Sequence, residues 1–519
     1  MENIADKELY GDYTEAGTGQ RLVAMFKDVL KWCMDTGNWY EYPRDVETGL
    51  WRKVDESRLY HYVLAIGRAI KADAESRLQD TYDAEGKAVR LDRTNALKYS
   101  KQLEKLSHVK AAIAFARSDF VCMQGDFDSN PQYLGMPNNK VINLLTGEVE
   151  EGKPEYMLTK KLNGNLKENV SDNFITFINR FLPDEAERRY FWLYCGSSLL
   201  GHEYRDGDDK CGMFIDSVSG TGKTTFLNVL TPAMGDYFKL FDIKLLTEEI
   251  KDPNKPNPLL CNLVGARIIA CSEIAAGTQF VGDTYKRYTG NDDLITRNMY
   301  GKPFTFSSDF RILVMCNDLP RPDSTDDTSF RCRFRRIHRD TAIPDEEKDT
   351  KLKQKAKTQE WRDDMVTWLI KGAQEYLKID GKLDNYNGKN LNECDLPDTI
   401  KRAIEEYIGD NDTMLDFFTA NFKRDKNGKV AWQDIYDTYI NYTHERVDYY
   451  NFLRVYKKAI NRFGFKTKRA WMRRPSPTDP DVTEPKYLEC VIGVRAINEK
   501  DSANDFIGKL KIVQQTNVS

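Results

Sequence analysis

Apolar residues recur at helical spacing through the first quarter of the chain and in short strand-like runs further on. The stretch Arg21 to Met34 (RLVAMFKDVLKWCM) and the stretches Arg58 to Arg77 and Asn95 to Arg117 each carry a helical apolar stripe. They are rich in alanine, leucine, lysine and glutamate, so residues up to about 125 read as mainly helical. Between the first two, Trp39 to Trp51 is aromatic around a turn-forming DVETG centre, which predicts a short hairpin. Residues 126–149 are rich in Asn, Pro and Gly, the composition of turns and short strands. Two further helices are predicted over 172–180 and 183–200. From Lys210 to about Ile343, short apolar strands alternate with helical or loop segments, the pattern of an α/β core. An amphipathic helix over Gln359 to Lys378 closes it, and the polar stretch from Asp380 to Pro397 is a linker candidate. Thr413 to Ala496 reads as two or three helices followed by strands, and 498–519 as a mobile tail.

A chain of 519 residues is long enough for roughly three or four domains. Apolar residues make up 40% and charged residues 30%, which excludes a disordered or membrane-embedded chain. No apolar run reaches the length of a membrane span, and the acidic N-terminus does not resemble a secretory or transit signal. The ten cysteines contain no C-x-x-C pair and the five histidines are isolated, so reduced thiols and a cytoplasmic location are expected. No internal repeat is apparent. The net charge of −4 means that any nucleic-acid contact must come from local basic patches.

One stretch announces chemistry: DSVSGTGKTTFLNVL at 216–230, a glycine-rich turn between an apolar strand and a helix. Backbone N–H groups of such a turn and a helix N-terminus cradle phosphate oxygens. The candidate cradle is Ser217, Val218, Ser219, Gly220, Thr221, Gly222, Lys223, Thr224 and Thr225. Lys223 supplies a point charge to the β and γ phosphates of ATP, and the Thr224 hydroxyl a ligand for Mg2+. Ser217 stands where the usual pattern has its first glycine; a small residue is tolerable there. A hydrolase also needs a carboxylate at a strand end. The strand ARIIACSE (266–273) offers Glu273 as the base that polarises water and as a second magnesium candidate, with Ser272 where aspartate is common. A third strand, FRILVMCN (310–317), ends in Asn317, which can position the same water. The arginines of RCRFRR (331–336) read either as a solvated basic face or as a finger reaching a neighbouring subunit's phosphates.

These three strand-end motifs, packed into about a hundred residues around YKRYTGNDDLITRNMYGKPFTF (285–306), resemble superfamily 3 helicases. The likeness is to the helicase part of phage and poxvirus primase–helicases, and it extends upstream to cover most of residues 12–345. It implies an AAA+-like α/β P-loop NTPase core with catalytic residues Lys223, Thr224, Glu273, Asn317 and Arg333, the last donated by the adjacent subunit; Arg331 and Arg335 are rivals. It also implies that Lys286 to Lys302 forms a loop and hairpin on single-stranded DNA, with Met299, Tyr300, Gly301 and Lys302 at the tip and Arg297 beside it. A cation and an aromatic there suit tracking of a backbone without sequence readout. Relatives carry a large primer-synthesising domain upstream; none precedes the helicase part here, so helicase without primase activity in cis is expected.

The last third reads as three helices and a strand pair with a wing between, a winged-helix-like arrangement such as relatives carry. From Arg454 to Arg474 there is no acid, and basic residues interleave with Tyr456, Phe463, Phe465 and Trp471. DNA phosphates are one partner for Lys466, Lys468 and Arg469; the alternative is a solvated face over core aromatics. The expected layout is a mainly helical module (1–165), a helical lead-in (166–209), the ATPase core (210–380), a linker (381–412), the winged-helix-like domain (413–497) and the tail. The expected function is an ATP-dependent hexameric DNA helicase of a phage or mobile element, acting on single-stranded and forked DNA with a separate primase or polymerase, in the host cytoplasm. An origin-binding initiator and a helicase subunit that assembles partners are the alternatives.

Overall fold

The structure is a computed structural model. It describes residues 11–497 except 44–48, 206–208, 249–254, 273, 275–277, 291, 298, 300–302, 323–327, 345, 347–348, 350, 384–395, 411–412, 445–446, 463–464 and 476–481. The predicted tail therefore lies outside the described residues, as does most of the linker candidate. Packing divides the chain into two compact units, the first ending at Ala403 and the main part of the second running from Ile404.

At the start of the first unit, helices Glu15–Phe26, Ser57–Ser76, Asp92–Gln102 and Leu106–Ala116 enclose a core of Leu22, Leu59, Val63, Ile66, Ile70 and Ile113. The expected helix from Arg21 to Met34 stops at Phe26, and Leu30–Cys33 is a strand instead. The cause is the following turn. Gly37 takes a φ of +65° and its N–H bonds the Cys33 carbonyl, which lets Leu30–Cys33 pair antiparallel with Asn38–Glu41. The strands flanking the expected hairpin pair antiparallel, Asn38–Glu41 with Arg52–Val54, while residues 44–48 of its turn lie outside the described residues. The single helix expected over 95–117 is two. The chain breaks after Gln102, where buried Leu103 packs so closely on Gly67 that a Cβ there would lie 3.3 Å from it. Strands Tyr133–Met136, Lys140–Asn143 and Val149–Glu151 form an antiparallel meander.

The centre of this unit is a five-stranded sheet: β1 (Gly212–Ser217), β2 (Phe238–Leu240), β3 (Ile268–Cys271), β4 (Arg311–Cys316) and β5 (Phe334–Arg339). The order is β2-β3-β4-β1-β5 and every pair is parallel, so all strands end at one edge. β1, β3 and β4 are buried throughout, as a sheet covered on both faces requires. Helices Asp172–Phe181, Glu185–Ser197 and Gln359–Lys378 start on capping side chains of Ser171, Asp184 and Thr358. The last two helices touch backbone to backbone: a Cβ on Gly196 would come within 2.2 Å of the Gly372 carbonyl carbon. A buried ion pair ties this layer to the sheet, with Arg311 at the start of β4 donating to Asp209 at 2.6 Å and to the Ser197 hydroxyl at 3.1 Å.

The second unit runs helix, strand, helix, helix, strand, strand: Thr413–Asn421, Phe422–Ala431, Trp432–Thr443, Tyr449–Arg462, Lys466–Pro475 and Thr483–Ala496. The first strand was not anticipated. It pairs with Thr483–Ala496, which takes the middle of a three-stranded antiparallel sheet. Phe417, Phe418, Trp432, Phe452, Ile460 and Val491 fill the core.

Candidate functional site

β1 delivers Asp216 and Ser217 to the edge of the sheet, and the chain turns through 218–222 before helix α1 (Lys223–Met234) begins. Gly220 and Gly222 take φ values of +89° and +100°, which residues with a Cβ rarely adopt. No side chain caps α1 at Gly222, so no side chain takes up the first-turn N–H groups that a helix leaves over. The Lys223 ammonium folds back over the loop. It donates to the Ser217 carbonyl at 2.7 Å, the Ser217 hydroxyl at 2.5 Å and Asn317 Oδ1 at 3.0 Å. All three acceptors are neutral, so among the described residues no carboxylate contacts the ammonium. Burial lowers the Lys223 pKa from its ordinary value, against the opposing influence of Cys316 and Asp216.

The register explains why Asn317 is there. Cys316, the last residue of β4, pairs with Asp216, so the residue that follows the strand comes up beside Ser217. Asp216 points the other way, as alternation along a strand demands. Its buried carboxylate accepts two bonds of 2.8 Å from Arg336 and one of 2.6 Å from His338, both on β5. Arg336 also donates to the Ala403 carbonyl at 2.9 Å. The sequence reading missed this anchor beneath the loop, although Arg336 and His338, two apart on a strand, carried the signal.

A cavity of about 1240 Å³ opens over the loop, lined among others by Arg180, Lys223, Thr224, Ser272, Asn317 and Lys353. A lysine whose partners among the described residues are neutral, a helix N-terminus and bare glycines give it the chemistry of a polyphosphate site. Thr224 is exposed at its wall. Glu273 lies outside the described residues; Ser272 before it lines the cavity, beyond the end of β3. Among the described residues no cluster of three His, Cys, Asp or Glu side chains could hold a metal.

The arginines that follow separate into two kinds. Arg335 turns inward and donates to the Tyr190 hydroxyl at 2.9 Å and the Cys332 carbonyl at 2.7 Å. Arg331 and Arg333 sit half-buried on the short helix Thr328–Arg333, and Arg333 Nε is buried without a hydrogen-bond partner among the described residues. None of the three lines the cavity. Asp293–Thr296 and Phe304–Ser307 pair as an antiparallel hairpin, Thr296 opposite Phe304. Arg297 leaves the stem half-buried and Met299 is exposed, while Tyr300, Gly301 and Lys302 lie outside the described residues. Lys286 stands apart on helix Gly282–Thr289, in an ion pair of 2.5 Å with Asp283. In the second unit Lys466, Lys468 and Arg469 are exposed at the start of their strand, whereas Phe465 and Tyr456 belong to the core.

The family model described as D5 N terminal like matches residues 19–184. Over 330 residues the chain is 24% identical to a protein of Acanthamoeba polyphaga mimivirus named putative helicase L207/L206. That match covers 60% of this chain and 33% of the viral protein, so it spans about a third of the relative's length. Two solved apo structures of the NrS-1 C terminal region are similar at TM-scores of 0.47 and 0.46 and identities of 11% and 12%. Both cover 91% of this chain, and 98% and 97% of their own. The chain is thus similar over residues 19–184 to the D5 N terminal like family and over part of its length to a protein named putative helicase, and its first unit is mixed α/β with a parallel central sheet. No helix among the described residues is long and apolar enough to cross a membrane.

Proposed function

We propose that this chain is an ATP-dependent DNA helicase of the superfamily 3 type, working as a hexameric ring on single-stranded DNA. One observation carries the reading: an ammonium whose partners among the described residues are neutral, held over a glycine-rich helix start by the amide of a neighbouring strand end. In that arrangement a triphosphate displaces the Ser217 and Asn317 contacts and takes up the Lys223 charge. The N–H groups of 218–225 hold its oxygens. Glu273 accepts a proton from water as the water oxygen attacks the γ-phosphorus; the bond to the β-phosphate oxygen breaks, and ADP and phosphate leave. Asn317 orients that water, and Arg333 of the adjacent subunit offsets the charge that develops. The hydroxyl of Thr224 fits a magnesium ligand, and the ion would neutralise the phosphates. Glu273 is the further magnesium candidate.

Hydrolysis is coupled to DNA through the hairpin, whose tip, Met299 to Lys302 beside Arg297, tracks one strand. The element order of the second unit supports a winged-helix-like domain whose Lys466, Lys468 and Arg469 meet DNA phosphates. The test is Lys223→Ala in ATPase and forked-DNA assays: both activities should fall at least a hundredfold, on the order expected for losing a phosphate clamp. Lys302→Ala should stop unwinding while leaving DNA-independent hydrolysis. Full turnover by Lys223→Ala would sink the reading. If duplex binding proves confined to one sequence, with no unwinding of general forks, the initiator alternative replaces it.

A further inference from the structure

The strands Lys466–Pro475 and Thr483–Ala496 pair antiparallel with Trp471 opposite Tyr487, Arg469 opposite Glu489 and Arg473 opposite Pro485. Side chains two apart share a face of a strand, so Arg469, Trp471, Arg473 and Tyr487 stand together on one side. Core aromatics are what a small domain normally makes of such residues, and Phe465 nearby is buried. Trp471 and Tyr487 are not: they are 62% and 52% exposed, with ring centroids 5.3 Å apart and planes inclined by 46°. Two large aromatics left side by side in water call for an explanation.

A cross-strand aromatic pair steadies a two-stranded arm. That accounts for the edge the rings share, but not for their open faces or for the guanidinium groups placed before and after Trp471. The charge around them is lopsided. Glu489 is engaged by Lys457 at 2.7 Å, and Arg474, on the opposite face, by Asp434 at 2.5 Å. Arg469 and Arg473 enter no ion pair among the described residues, and the strand Lys466–Pro475 contains no acid. The Lys429 ammonium holds the Trp471 carbonyl at 2.7 Å and fixes the backbone from behind. The surface thus offers aromatic faces between exposed cations, which complements a flexible polyanion whose bases are free to stack.

We propose that Trp471 and Tyr487 form a stacking platform for unpaired bases of single-stranded DNA, with Arg469 and Arg473 on the flanking phosphates. A duplex hides its base faces, so the platform selects the separated strand. The proposal rests on the DNA-binding reading of the second unit. Its test is equilibrium binding of the full chain to a labelled oligo-dT, an abasic strand of equal length and charge, and a blunt duplex. Wild-type protein should prefer oligo-dT to the abasic strand about tenfold, as base–aromatic stacking implies. The Trp471→Ala/Tyr487→Ala variant should lose most of that preference yet keep its abasic affinity, and Trp471→Phe should keep part of it. Arg469→Ala/Arg473→Ala should weaken both strands alike. Because the replaced rings are largely exposed, the circular dichroism should be unchanged and Tm should fall only by the small amount that one cross-strand pair contributes. A double aromatic variant that retains the wild-type base preference, or that loses duplex affinity equally, overturns the platform while leaving DNA binding in place. If wild type binds none of the three, the DNA-binding reading falls with it.

Discussion

The Ser217 hydroxyl lies 2.5 Å from the Lys223 ammonium and 2.6 Å from the buried Thr221 hydroxyl, so it organises the loop from within. A glycine at that position could do neither. Its type suggested only a tolerated substitution; the role depends on where the lysine folds back, which no local pattern records. Lys223 and Asn317 were legible because each follows an apolar strand, and parallel pairing brings such ends together. The arginines were only partly legible, since R-C-R-F-R-R says nothing of which side chains turn inward. The two kinds should separate in experiment. Arg333→Ala is expected to lower kcat for ATP by about a thousandfold with nucleotide binding nearly intact, as loss of an arginine finger does. Arg335→Ala should instead lower stability by about 1–3 kcal/mol, because it removes the buried guanidinium's hydrogen bond to the Tyr190 hydroxyl. Turnover assays beside thermal melts decide between them; preserved turnover in Arg333→Ala moves the finger to Arg331.

Among the elements, the helix pair Glu185–Ser197 and Gln359–Lys378 depends on backbone contact at Gly196 and Gly372. Gly196→Ala should cost about 3 kcal/mol, the upper end for overpacking, because the obstacle is main chain that cannot rotate away. Urea unfolding reads this directly, and wild-type stability in the variant would mean that the helices are not so close. The hairpin carries a pH-dependent latch at its base. His202 Nδ1 lies 2.7 Å from Asp309 Oδ1 and 3.0 Å from the Ser307 hydroxyl on the second hairpin strand, with Arg205 and Glu203 nearby. The hydrogen bond to Asp309 raises the His202 pKa above its ordinary 6.5, against burial and Arg205. Burial of Asp309 opposes its ionisation, but His202 and Arg267 outweigh that and hold the carboxyl well below the usual range. A raised histidine stabilises fully below its unfolded value, and the contribution disappears as pH rises through the folded one. Wild-type Tm should therefore fall relative to His202→Asn as pH rises above the ordinary histidine value of 6.5; parallel profiles would remove the latch. Long, capped elements such as Gln359–Lys378 were readable to the residue. Arg21 to Met34 was not, because V-L-K-W-C suits either period and Gly37, outside the window, decides it.

At the scale of the whole molecule, the proposed finger donated in trans would make catalysis a property of the assembly. Native mass measured with and without ATP should show a hexamer in at least one condition, and ATP turnover per chain should rise with protein concentration. A monomer throughout, at constant specific activity, would contradict the shared site. The sheet adds a constraint on how such an assembly could move. β4 is buried along its whole length and hydrogen-bonded in register to β1 on one side and β3 on the other. The hairpin stem ends at Ser307, four residues before β4 starts, and Asn317 follows directly where β4 stops. These six residues thus form a rod of roughly 20 Å with the Lys223 contact at one tip and the hairpin at the other. A strand paired on both sides cannot slide by a fraction of its register. Any displacement carried along this rod must therefore be a tilt of the sheet as one piece, and the stroke at the hairpin is set by the lever's length.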